Sequence, residues 1–432
     1  RKWSGWCEQK ADRMTYHTHE VFGISTSILQ PSYVDRGNLD ADIQKLLGRN
    51  THIALRGESK CGKSWLRQKN VPNAIVVQCR LNKKVKDIFV EALANLGLSV
   101  HTEKTSSGSL KTSISASSEA SVPILAKIKT ALGLDYTSTV TDKSIYITNG
   151  VDDLRFFAEA INASGKRLVI EDFHYLHPIE RRTFATDLKA LWDYQTYVVI
   201  IGIWAENNLL LHLNPDLAAR VEEKSIYWSN SELNAVLTKG SESMNIAFGK
   251  EICKSLITDS FGTVGILQKL TLSLLDAVNI ERAIPGSPKI VDDQNAYLDV
   301  ALAYADQLNA LYQTFAARVA KGIRQRKRAT GIYAHMLKVV MDSTDKELTD
   351  GLHTDTIFSQ AKLRESRIQK ANLRTILAKI DELQIDEEGR GLVISYDENK
   401  DDVSIVDKQL FLYRKYATVG WPWEKIIEDV AA

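Results

Sequence analysis

The chain has 432 residues, 44% of them hydrophobic and 25% charged, which is material for a large core and for two or three domains at roughly 150 residues each. Its 55 Lys and Arg stand against 54 Asp and Glu, and a net charge of +1 excludes a histone-like polycation or an acidic solvating tail, so any nucleic-acid surface is local. The four cysteines, Cys7, Cys61, Cys79 and Cys253, form no CxxC pair, which argues against a disulfide scaffold or zinc module and for a reducing, cytoplasmic setting.

Residues 1–30 read as a lead-in segment. They hold no apolar stretch of signal-peptide type, and the absence of an initial Met reads as a processed or trimmed start. The spacing of Leu39, Ile43, Leu46 and Leu47 predicts an amphipathic helix over 37–48. A strand over 51–56 follows, ending on Gly57, then a Gly/Ser/Lys loop and a helix from about residue 63. A second strand is expected at 75–77 and a second amphipathic helix at 84–96. Residues 99–121 are rich in Ser and Thr and offer little apolar area to offset the entropy of ordering them, so a mobile loop or loosely packed insertion is expected.

A helix at 151–163, a buried strand at 167–172 ending in two acids, a helix at 183–194 and strands at 197–203 and 224–227 come next. The apolar run at 197–204 is far short of the roughly 20 residues that span a bilayer, and no membrane partner is expected. Strands that are continuous apolar runs and alternate with helices predict a parallel sheet covered on both faces. Beyond 229 the β signals vanish. Helices near 231–238, 244–259 and 263–278 read as a helical lid, 284–288 as a break, and 294–341 as strongly helical. The last part reads as helices at 345–351, 354–364 and 370–383, strands at 392–396 and 403–406 about an acidic turn, and a strand at 409–413, the plan of a winged helix. The domains expected are thus 1–30, 31–229 (α/β core), 230–285 (lid), 286–341 (helical linker) and 342–432 (winged-helix-like).

Gly57-Glu58-Ser59-Lys60-Cys61-Gly62-Lys63-Ser64 satisfies GxxxxGK[ST] between an apolar strand and a helix. Successive N–H groups and a helix N-terminus cradle a phosphate there, and Gly62 permits close approach. Lys63 faces the β- and γ-phosphates, and Ser64 offers a hydroxyl to Mg²⁺. Such a site takes ATP with Mg²⁺ and needs a carboxylate from a neighbouring strand. Glu171 and Asp172 supply it, Glu171 facing the metal and Asp172 orienting or deprotonating the attacking water, or with the roles exchanged. Past the next strand, one of Glu206, Asn207 and Asn208 is a candidate to sit by the attacking water. Arg220 is either a finger that reaches a neighbouring subunit's γ-phosphate or a surface arginine in a salt bridge. Tyr33, Val34, Asp35 and Arg36 are candidates to border the adenine.

Together the 33–36 box, the loop at 57–64, residues 168–176 and 199–206, the segment from Asp216 to Arg220 and residues 262–268 resemble the AAA+/STAND-like group of P-loop ATPases over roughly 20–280. The resemblance implies a P-loop NTPase fold with a helical lid. It implies phosphate and Mg²⁺ binding by Lys63 and Ser64, an acidic pair at Glu171 and Asp172, a sensor position near Asn207 and a trans-acting finger at Arg220. It further implies a nucleotide-controlled homo-oligomeric switch. Prokaryotic members of similar layout serve in anti-phage defence with a separate effector protein. One departure stands out: no arginine lies in 262–268, and Lys269 is the nearest cation.

The segment 318–328 holds six cations and no acid. Arg324, Arg326, Lys327 and Arg328 there, with Lys370 and Arg374 of the winged-helix candidate, are the residues expected to meet double-stranded DNA. The acids of the wing turn oppose this, and docking of a protein is the other reading of the same module. Two functions follow: an assembling ATPase that controls an effector, or a DNA-binding regulator with slow or no hydrolysis. The aromatic end, Phe411, Tyr413, Tyr416, Trp421 and Trp423, reads as core or as a partner surface.

Overall fold

The computed structural model describes residues 16–104, 110–131, 144–147, 153–204, 207–322, 330–384 and 392–431. The chain is a mixed α/β protein whose backbone groups into two compact units. One comprises Asn38–Gly57 and Leu66–Ile226, the other Arg1–Gly37, Glu58–Trp65 and Tyr227–Ala432.

The first unit is built on a parallel sheet. Its strands are β1 (His52–Gly57), β2 (Ile75–Gln78), β6 (Leu168–Glu171), β7 (Val198–Gly202) and β8 (Val221–Ile226), in the order β2-β6-β7-β1-β8. All five residues of β7, the first four of β1 and the first three of β6 are buried, as continuous apolar runs require. Ile170 pairs with Ile200, and Leu55 with Ile201. Glu171 and Leu55 therefore lie level, two strands apart, which is about 10 Å at ~4.8 Å per strand. Helices Val85–Asn95, Leu154–Ser164 and Pro178–Asp193 cover the sheet with Phe89, Phe156, Phe157, Phe184 and Leu188.

His52 is fully buried in this unit. Its Nε2 donates to the Leu188 carbonyl at 2.9 Å and its Nδ1 accepts from the Val198 amide at 3.0 Å, so the ring is neutral. Burial pushes its pKa down to about 4, against a smaller upward effect of the Leu188 hydrogen bond.

The described residues of the segment at 99–121, expected to be loose, are instead mostly strand, and 105–109 lie outside the described residues. β3 (Leu98–Lys104), β4 (Leu110–Ala116) and β5 (Ser144–Ile147) form an antiparallel sheet, with Leu98 opposite Ala116 and Ile114 opposite Ile145. Leu98 and Ile114 are buried, with Leu125 and Ile128 of the helix Val122–Ala131 in the same core. The alternation of Leu98 and Val100 with polar residues, and the fit of Thr to a pleated surface, outweigh the scarcity of apolar side chains.

The second unit is mainly helical. Helices Asn230–Met244, Lys250–Asp259 and Val264–Ala277 lie where helices are predicted near 231–238, 244–259 and 263–278, and a 28-residue helix, Gln294–Lys321, packs with them in one core. β signals do not vanish after 229: β9 (Ile246–Phe248) and β10 (Lys289–Val291) pair in parallel. Three helices, Asp345–Asp350, Thr354–Arg364 and Lys370–Leu377, accompany an antiparallel sheet of β11 (Leu352–His353), β12 (Ile394–Asp397) and β13 (Asp402–Ile405), in the order β11-β13-β12. The strand expected at 409–413 is a helix, Gln409–Tyr416, with Leu410 to Tyr413 buried. A four-residue apolar run has no period to tell a buried strand from a buried helix, and packing against the long helix decided it. Phe411, Tyr413 and Trp423 are core residues.

Candidate functional site

β1 runs into the glycine-rich loop at its last residue, Gly57, and the helix Lys63–Asn70 leaves it. Gly62 has φ +88°, a conformation L side chains rarely adopt, and Lys60 is left-handed at φ +59°. The loop's carbonyls are taken by protein donors. The Glu58 carbonyl accepts from Lys63 Nζ at 2.5 Å, and that of Lys60 from the Gly265 amide at 3.0 Å. The Cys61 carbonyl accepts from Arg36 Nη1 at 3.1 Å and Trp228 Nε1 at 2.9 Å. A Cβ at Gly265 would come within 2.6 Å of Lys60 Cβ, so only glycine permits that approach. Among the described residues, the backbone N–H groups of Ser59, Lys60 and Gly62 have no backbone acceptor, and the turn at 59–60 aims the Cys61 N–H toward the Glu58 carbonyl. Amides left as donors beside carbonyls already taken form a nest that can accept an anion.

Cations surround this nest. Lys63 Nζ also reaches Cys61 Sγ at 3.6 Å, and the Arg36 guanidinium stacks 4.3 Å from the Trp228 ring. Lys60 Nζ donates to Gln409 Oε1 at 2.6 Å, and burial holds its pKa below the usual lysine value. Glu58 is the one acid in the loop. Burial raises its carboxyl above the usual range, and Lys408, with Nζ 2.7 Å from Oε1, opposes that rise.

At the end of β6, Glu171 Oε1 accepts from Arg67 Nε at 3.0 Å, with both side chains mostly buried. Asp172 has φ +57°, and its Oδ2 accepts from Gln78 Nε2 at 2.9 Å. Asn207 is exposed, and the Asn208 amide donates to Glu223 Oε1 at 3.0 Å. Glu206 lies outside the described residues. Arg220 is turned onto its own segment: Nη1 donates to the Asp216 carbonyl and the guanidinium stacks 4.9 Å from the Trp192 ring.

Of the proposed adenine border, Val34 packs against the helical core and the Tyr33 carbonyl accepts from Lys239 Nζ. Ser64 is exposed. Lys370 pairs with Asp355 and Arg374 with Asp401. Arg374, Thr375, Ala378, Tyr396, Glu398 and Asp401 line a cleft of about 520 Å³. Arg324, Arg326, Lys327 and Arg328 lie outside the described residues. Sequence reasoning missed Arg67, Trp228, Lys408 and Gln409. Arg67 carried a signal, standing one turn beyond Lys63 on the same helix face.

No protein-family model matches the chain, and no curated protein matches it. Solved structures do. One is a STAND protein with a tetratricopeptide-repeat sensor from Pyrococcus horikoshii, at 12% identity and TM-score 0.36, over 94% of this chain and 45% of that one. The chain thus spans less than half the length of that relative. Another is the RuvB Holliday junction branch migration motor of Thermotoga maritima, at 12% identity and TM-score 0.35, over 88% of this chain and 93% of that one. A third is AMPPCP-bound DnaA from Aquifex aeolicus, at 12% identity and TM-score 0.34, over 81% and 89%. What the site can do follows from this chain's own residues.

Proposed function

We propose that the chain binds ATP with Mg²⁺ at residues 57–64, hydrolyses it slowly, and uses the nucleotide as a switch for self-assembly and control of a partner protein. The observation that carries this reading is the nest of the Ser59, Lys60 and Gly62 amides, which has Lys63 beside it and follows the buried strand β1. A triphosphate fits the donors present: the nest and Lys63 hold its β- and γ-phosphates.

Ser64 and Glu171 would hold Mg²⁺, which would supply charge neutralisation for the phosphates. Among the described residues no group of three or more His, Cys, Asp or Glu converges as a metal site. Mg²⁺ on a nucleotide does not need one, because phosphates and waters fill most of its six positions. Asp172, next to Glu171 at the end of β6, orients a water for attack on the γ-phosphorus and takes its proton as the bond to the β–γ bridging oxygen breaks. In the present arrangement Arg67 holds Glu171 and Gln78 holds Asp172, which supports slow basal turnover. Arg220 completes a neighbouring subunit's site once it leaves Asp216 and Trp192.

Lys370 and Arg374 are each matched by an acid, so contact with DNA phosphates at these two would have to break ion pairs. This favours protein docking over DNA contact at that face, and leaves DNA binding to the 324–328 block. The test is particle mass with and without ATP, in the presence and absence of duplex DNA. The reading expects a larger particle with ATP alone. A mass unmoved by ATP removes the assembly reading, and growth that requires DNA favours the DNA-binding regulator.

A further inference from the structure

Glu58 is out of place by its chemistry. An anion-binding loop gains from amides and cations, and a carboxylate two residues from the nest's centre repels phosphate. The fold answers this charge from far along the chain. Lys408 Nζ lies 2.7 Å from Glu58 Oε1, and the two side chains keep 13% and 30% of their exposure, so solvent screens the pair only in part.

The lysine is held in place by its neighbours. Gln409 Oε1 accepts from Lys60 Nζ and from Tyr304 Oη, each at 2.6 Å. Asp407 Oδ1 accepts from the Gln409 side-chain amide at 3.1 Å, and Asp407 Oδ2 from Tyr312 Oη at 3.0 Å. Tyr304 and Tyr312 are buried on the long helix Gln294–Lys321. The turn 407–409 thus touches the loop at two side chains, one acidic and one basic, and is braced from behind.

We infer that Lys408 is a working part of the nucleotide site: it cancels the Glu58 charge, so that phosphate binding at 57–64 depends on the 407–409 turn being seated. This rests on the reading that the loop binds ATP. With the turn seated, the loop presents the net positive field of Lys60, Lys63 and Arg36. With the turn withdrawn, the Glu58 carboxylate stands uncompensated beside the phosphates. Coupling is reciprocal, so ATP binding also strengthens the seating of the turn. The 407–409 turn thereby reports whether nucleotide is bound.

The experiment is a double-mutant cycle on the full chain, read as the dissociation constant for ATP in excess Mg²⁺. Lys408→Ala is expected to weaken ATP binding about tenfold or more. Glu58→Gln, which removes the charge that Lys408 answers, is expected to bind at least as tightly as the parent. In the Glu58→Gln background, Lys408→Ala is expected to change affinity less than threefold. Equal losses from Lys408→Ala in both backgrounds, or weaker binding by Glu58→Gln alone, overturn the inference while the ATP site stands. The Glu58→Gln arm decides the matter even where Lys408→Ala fails to fold. Absence of ATP binding by the parent chain removes the site and the inference together.

Discussion

Arg67 holds Glu171 by a hydrogen-bonded ion pair, Nε to Oε1 at 3.0 Å, with both side chains mostly buried. Arg67 sits on the helix that leaves the glycine-rich loop, and Glu171 ends the strand two places from β1 in the sheet. The carboxylate proposed to serve the metal is thus engaged by a cation of the same unit.

Freeing that carboxylate should speed hydrolysis. A partly buried pair of this kind is worth about 1 kcal/mol, a factor of roughly five. Arg67→Ala is expected to raise basal phosphate release several-fold with ATP affinity little changed. A fall in turnover would show that Arg67 positions Glu171 for the reaction.

Arg220 tests the shared site. Its guanidinium is spent on the Asp216 carbonyl and the Trp192 ring, contacts that do little for a parallel-sheet core. Arg220→Ala is expected to cut assembled turnover at least tenfold and leave the ATP dissociation constant within about twofold. Unchanged turnover removes the finger role.

His52 sets a pH dependence of stability. Its folded pKa, about 4, lies below the ordinary 6.5, so the unfolded chain binds more protons between these values. The stability of a neutral buried ring is complete above about pH 6.5 and is lost as pH falls toward 4, by about 1.4 kcal/mol per pH unit. Denaturant midpoints at pH 7 and 4.5 should differ more for the parent than for His52→Asn. Equal pH dependence in the two proteins contradicts this assignment.

Asp259 anchors the helical unit. It is 1% exposed and accepts from Lys415 Nζ at 2.6 Å, Tyr297 Oη at 2.7 Å and Tyr416 Oη at 2.5 Å. Asp259→Ala leaves the buried Tyr297 hydroxyl without its acceptor, while the half-exposed Lys415 ammonium turns to water, at a cost of about 2 kcal/mol. Thermal unfolding measures it, and a loss under about 1 kcal/mol would mean that water replaces the carboxylate.

The glycine-rich loop between β1 and the helix Lys63–Asn70 was legible because its information is local. Gly57, Gly62, Lys63 and Ser64 act through spacing along one turn, and the flanking strand and helix announce themselves by period. The acids of 171–172 were legible for the same reason, as charges closing an apolar strand. What holds these groups was not. Lys60 and Gln409 are 349 positions apart and bear no pattern in common, so only the folded chain brings them together. The antiparallel sheet that includes β3 and β4 was hidden by Ser and Thr, which thin out the apolar residues while leaving their alternation intact. The helix Gln409–Tyr416 was hidden by an apolar run too short to show a period. Arg220 is marked in the sequence only by its place before the last core strand and by the resemblance of its segment, and its stacking on Trp192 depends on a helix that no sequence pattern places beside it.

The central claim is that the amide nest at 57–64, with Lys63, holds the phosphates of ATP. Equilibrium titration of the full chain with ATP and Mg²⁺, beside the Lys63→Ala variant, tests it most directly. The account predicts saturable binding by the parent and a loss of about a hundredfold or more in the variant, roughly 2.7 kcal/mol or more. Equal affinity in the two proteins, or no saturable binding by the parent, would contradict it.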